Sequence, residues 1–152
     1  MPTKLIIDCQ FATPVLQNTV EKVASTALIK KWVKSTGPQS GLITLRFVNA
    51  AEGKKLNASY RKKSYATNVL TFPYEHSKTQ LIADIIFCLP IIQKEAKEQG
   101  KTLKAHLAHL IIHGCLHAQG LDHESDQEAK KMEALEIKLL KILGFANPYL
   151  NA

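Results

Sequence analysis

Cysteine is scarce in this 152-residue chain, which has three, Cys9, Cys88 and Cys115. They are odd in number, widely spaced and set in apolar stretches such as Ile85-Ile86-Phe87-Cys88. That pattern excludes a disulfide framework and predicts buried free thiols and a reducing, cytoplasmic setting. Long apolar runs are absent as well. None approaches the roughly 20 residues that a membrane span requires, and the apolar run Leu5-Ile6-Ile7 is too short for a signal-peptide core and is interrupted by Asp8. A membrane partner is therefore not expected. No repeat and no low-complexity tract is found, which excludes solenoids and linker-like chains.

What is present is an ordinary globular composition, 45% hydrophobic and 22% charged. The length suits one domain over residues 1–152, able to bury a core without staples. Twenty Lys and Arg against 13 Asp and Glu give a formal charge of +7, a surplus that favours anionic partners such as nucleic acid or the ribosome.

The periodicity predicts a strand over residues 4–9, a helix over Leu16 to Lys34, a strand over Leu42 to Val48, and a helix capped by Asn49 and running to about Tyr60. A polar, basic loop over Arg61 to Asn68 leads to a short edge strand bounded by Pro73, followed by an apolar strand over Leu81 to Leu89 carrying Asp84. Pro90 opens a helix that Gly100 stops; Thr102 caps the next, which ends at Gly120. A last helix spans about Asp126 to Leu143, with apolar positions Met132, Leu135, Leu139 and Ile142. About four strands and five helices, the last third all helical, predict an α+β fold: a single domain with a mixed sheet.

The chemistry concentrates in His113-Gly114-Cys115-Leu116-His117-Ala118-Gln119-Gly120-Leu121-Asp122-His123. Four helical residues advance about 400°, so His113 and His117 share one face a turn apart. Gly120 permits the chain to leave the helix and return, bringing His123 to the same ion. Three imidazoles around one Zn²⁺ keep a coordination position open for water, the arrangement of a catalytic zinc. His106 and His109 share the helix but read as packing or surface residues. His76 reads as a solvent-exposed loop residue, and Cys115 points to the core.

The same histidine spacing occurs in metzincin proteases, but there glutamate follows the first histidine as general base, and Gly114 occupies that place here. Met132 lies in a helical pattern and does not supply a Met-turn. Glu124 could act as base, orient His123, or be an exposed acid at the start of the last helix; Asp122 is equally open.

These residues resemble the YbeY endoribonucleases. The resemblance rests on His113 to Glu124 with Asp126, on Leu56-Asn57-Ala58-Ser59-Tyr60-Arg61-Lys62-Lys63, on Thr67-Asn68-Val69-Leu70-Thr71-Phe72-Pro73, on the strand around Asp84-Ile85 and on the tail from Met132 to Gly144. It implies a zincin-like fold and zinc on His113, His117 and His123. It also implies an essential Arg61 and a single-strand-specific endoribonuclease that matures the 3′ end of small-subunit ribosomal RNA and serves ribosome quality control. Ala83 stands where the family has glycine, and Lys63-Ser64 where it has lysine followed by an acid; the second departure bears on substrate grip. Read from its own chemistry, the Arg61 guanidinium offers paired donors to a phosphate. Lys62 and Lys63, with Lys54 and Lys55, could track an RNA backbone, and Tyr60 or Tyr65 could stack on a base. Asn68 could orient the loop or simply turn it. The competing expectations are a zinc peptidase or other small metallohydrolase, and a non-catalytic ribosome-binding factor.

Overall fold

A computed structural model describes residues 4–61, 67–77, 79–121 and 125–150, with the side chains of Tyr60, Arg61 and His76 excepted. Among the described residues the chain order is β1 (Leu5–Phe11), α1 (Pro14–Glu21), α2 (Thr26–Ser35), β2 (Ser40–Val48), α3 (Ala50–Arg61), β3 (Val69–His76), β4 (Gln80–Cys88), α4 (Leu89–Glu98), α5 (Leu103–Ala118) and α6 (Asp126–Ile142). The sheet order is β1-β2-β4-β3. β1 and β4 flank β2 in parallel, whereas β3 closes one edge antiparallel to β4. The α+β class and the mixed four-stranded sheet are as expected, with six helices in place of about five.

The sixth helix arises because the stretch expected as one helix from Leu16 to Lys34 is two. Ser25 is extended and its hydroxyl accepts from the Leu28 amide at 3.1 Å, so a new N-cap interrupts the apolar stripe. Thr13 caps α1 in the same way, ahead of Pro14. The cap expected at Asn49 is present: its side-chain oxygen accepts from the Glu52 amide at 2.9 Å. The edge strand does not end at Pro73. It continues to His76 with a register shift between Pro73 and Glu75, which an edge position tolerates because the missing proline N–H leaves no gap in a ladder on the outer side.

Alternation along the strands sorts the sheet into two faces. Ile43, Leu45 and Phe47 of β2 and Leu81, Ala83, Ile85 and Phe87 of β4 belong to the main core with residues of α1, α2 and α5. Phe47 stacks on Phe11 and on Phe87, each with ring centroids 5.2 Å apart. Val48, Leu70, Ile86 and Cys88 form a smaller cluster with Leu56 and Ile91 of α3 and α4 on the other face. Gly41 is required in β2: its φ is +120°, and a Cβ there would stand 2.0 Å from the Leu81 carbonyl oxygen.

α5 runs through the middle of the molecule and is buried nearly all round, including His106, Leu107, Ile111, Gly114 and Cys115. Cys88 and Cys115 are the buried free thiols expected, while Cys9 is only partly buried. Burial pushes the Cys115 thiol up to about 12, although a bond with Thr36 opposes the rise. Among the described residues no helix is long and apolar enough to cross a membrane.

Candidate active site on helix α5

α5 begins at the Thr102 cap, whose hydroxyl accepts from Ala105 at 3.1 Å. It ends as the sequence predicts. Gly120 has φ +96°, its amide bonds to His117 O at 3.0 Å and the Leu121 amide bonds to Leu116 O at 3.2 Å, the paired bonds of a Schellman stop. Along α5 the histidines form a row. Ring centroids are 6.4 Å apart for His106 and His109, 6.3 Å for His109 and His113, and 6.4 Å for His113 and His117. His113 and His117 are therefore adjacent on one face, as their i, i+4 spacing requires.

The side chain that organises this row was not expected. Glu136 of α6 is wholly buried and meets three donors. His113 Nδ1 lies 2.8 Å from Oε2, His109 Nε2 lies 2.7 Å from Oε1, and the Tyr149 hydroxyl also donates to Oε1. Burial pushes the Glu136 carboxyl up, but the hydrogen bonds it accepts from His109, His113 and Tyr149 outweigh this and hold it well below the ordinary carboxylate range. It is thus a carboxylate at neutral pH. Desolvation of its hydroxyl and the facing carboxylate push Tyr149, a residue otherwise partly exposed, well above its ordinary value, so it stays a donor. A cavity of about 290 Å³ opens beside this cluster, lined by His113, Ala129, Met132, Glu133, Glu136 and Tyr149.

A second carboxylate, Glu95 of α4, holds the start of the row. His106 Nε2 lies 3.1 Å from its Oε1, and Asn68 Nδ2 donates to both oxygens at 3.1 and 3.3 Å. Asn68 also accepts from the Val69 amide at 2.7 Å, so it is the tether of β3's first residues rather than a bare turn residue. His106, read above as a packing or surface residue, is 4% exposed and bonded; burial lowers its pKa against the pull of Glu95.

The sequence signal for Glu136 lay in α6. Met132, Glu136 and Leu140 are its buried residues, spaced i, i+4, i+8, whereas the stripe Met132, Leu135, Leu139, Ile142 leaves Ile142 70% exposed. An acid in the buried register of a helix is the trace of a partnered carboxylate. Nothing local marks Tyr149.

His113 and His117 are thus described and adjacent. His123, Lys62 and Lys63, like Asp122, Glu124 and Tyr65, lie outside the described residues. Arg61 ends α3, and its side chain lies outside them too. Among the described residues no three His, Cys, Asp or Glu side chains form a set that could hold an ion; the expected set includes His123. The donor chemistry of the described pair fits a divalent metal. A carboxylate can only accept, so the Nδ1 of His113 carries a proton, and in the neutral ring the lone pair is then on Nε2.

Fold and site together define a small α+β protein built around a histidine-bearing central helix braced by a buried carboxylate. Residues 7–144 match the family model described as Endoribonuclease YbeY. A protein of Polynucleobacter asymbioticus named Endoribonuclease YbeY is 71% identical over 149 residues, covering 98% of this chain and 96% of its own. Another of that name from Herminiimonas arsenicoxydans is 52% identical, covering 98% of this chain and 97% of its own. The chain belongs to the YbeY endoribonuclease family. Its fold is similar to the solution structure of TM1509 from Thermotoga maritima, with a TM-score of 0.53 at 22% identity and 91% of each chain covered.

Proposed function

We propose that this chain, over residues 1–152, is a zinc-dependent, single-strand-specific endoribonuclease. Its substrate is the precursor of small-subunit ribosomal RNA, cut in maturation of the 3′ end, and it serves ribosome quality control in the cytoplasm, with the small ribosomal subunit as partner. The observation that carries the reading is His113, bonded through Nδ1 to a buried carboxylate and standing one helical turn from His117, in a chain whose relatives are named endoribonucleases.

His113, His117 and His123 would hold the ion, and Zn²⁺ when bound supplies Lewis acidity toward a phosphodiester oxygen and its water. Arg61, which ends α3, would offer its planar donors to the phosphate and counter charge that develops during cleavage. Lys62 and Lys63 would grip the flanking backbone. The peptidase reading loses support at Gly114. A Cβ there would lie 3.0 Å from Ile85 Cγ2 and 3.5 Å from Val69 Cγ1, so the glutamate that serves zinc peptidases has no room in this helix–sheet contact.

Metal analysis of the purified protein, with incubation on ribosomal RNA with and without chelator, tests this. The expected result is one zinc per chain and cleavage that chelator abolishes. His117→Ala should lose zinc and cleavage together, and Arg61→Ala should lose cleavage while keeping zinc. Chelator-insensitive cleavage, or full activity in Arg61→Ala, refutes the reading.

A further inference from the structure

The geometry points to Glu136 as a positioning residue for His113: it fixes the imidazole with its proton on Nδ1 and presents Nε2 to the metal. This rests on the reading of His113 as a ligand. His113 is 29% exposed and projects from a helix, and which of an imidazole's two nitrogens carries the proton is set by the hydrogen bond the ring makes. Glu136 is wholly buried and on a different helix, so a 2.8 Å bond from Nδ1 pins the ring to a point that does not move with solvent.

The carboxylate is itself held. Its other oxygen receives His109 Nε2 at 2.7 Å and the Tyr149 hydroxyl, donors from α5 and from the segment after α6. Three donors on one carboxylate leave it little freedom to rotate, and they supply the hydrogen bonds without which a buried negative charge is strongly disfavoured. Satisfying His109 and Tyr149 needs an acceptor at this point, which a neutral amide oxygen would also supply. A carboxylate aimed at Nδ1 of a ligand is needed only if the ring's orientation and basicity matter.

The test uses the full chain labelled with ¹⁵N-histidine. In the metal-stripped protein near neutral pH, two-bond ¹H–¹⁵N spectra should show His113 protonated on Nδ1. On adding zinc alone, the Nε2 resonance should move to its metal-bound position with the Nδ1 proton retained. Glu136→Gln, which keeps the shape and removes the charge, should raise the zinc Kd by about 10- to 100-fold in competition with a chromophoric chelator, and should give a mixture of His113 tautomers. An Nε2-protonated His113 in the unmutated protein, zinc on Nδ1, or a folded Glu136→Gln variant binding zinc within about two-fold of the unmutated chain each overturns the assignment. If Glu136→Gln does not fold, the unmutated protein's spectra decide alone. Zinc bound with the wrong tautomer sinks only the role of Glu136; no zinc bound at all, with Nδ1 protonated, sinks the metal reading and this inference with it.

Discussion

Gly114 offers a measurable account of why this helix carries histidines without the adjacent glutamate. Its backbone is helical, so alanine there gains about 1 kcal/mol of helix propensity at a solvent-facing site. Here the added Cβ meets Ile85 Cγ2 at 3.0 Å and Val69 Cγ1 at 3.5 Å. Ile85 is wholly buried in β4, an inner strand, and cannot retreat; Val69 lies on the edge strand and can give a few tenths of an ångström. Overpacking of one methyl costs about 1–3 kcal/mol, so the net expectation for Gly114→Ala is destabilisation by about 1 kcal/mol. Glutamate adds four more heavy atoms and a charge to an apolar contact, and Gly114→Glu should cost more than about 4 kcal/mol. Urea unfolding followed by circular dichroism reads both. In a double-mutant cycle, Ile85→Leu, which removes the Cγ2 methyl that the new Cβ meets while keeping the side-chain volume, should recover part of the alanine loss, because residues in contact are not additive. Stabilisation by Gly114→Ala, or a well-folded Gly114→Glu protein, would refute the claim that helix–sheet packing excludes the acid.

Three further outcomes follow from burial and bonding. Thiol reagents at mildly alkaline pH should modify Cys9 first and reach Cys115 only on unfolding, because Cys115 is fully buried and its thiol sits near 12; peptide mapping after timed labelling checks the order. Asn68→Ala removes both bonds to Glu95 and should cost about 1–2 kcal/mol, given the charged but partly exposed acceptor, seen as a fall in Tm of a few degrees. Trp32→Ala deletes a 1% exposed side chain packed edge-on to Phe145 at 5.7 Å and should cost about 3–5 kcal/mol in urea unfolding.

What could be read from the residues in order was whatever a single segment decides. The i, i+4 histidines, the glycine after them and the caps at Asn49 and Thr102 obey local geometry, and each stands where the periodicity put it. Ser25 is equally local, but the apolar positions on either side of it make one continuous stripe, so its capping bond was outweighed in the reading of Leu16 to Lys34. Glu136 was hidden for a different reason. A glutamate's burial is decided by partners at 109, 113 and 149, and no window around residue 136 contains them. The same holds for His106, whose partner Glu95 is on the preceding helix. Sequence thus located the histidines, and tertiary contacts disclosed the carboxylates that hold them.

The positions of the Glu136 donors along the chain have a consequence for truncation. Histidines 109 and 113 precede it in the chain, but Tyr149 comes 13 residues after it. The carboxylate can meet two of its donors once the last helix docks on α5, whereas the third comes only from the segment that follows that helix. A stalled or clipped chain lacking that tyrosine would therefore present the histidine row with its anchor incompletely tied.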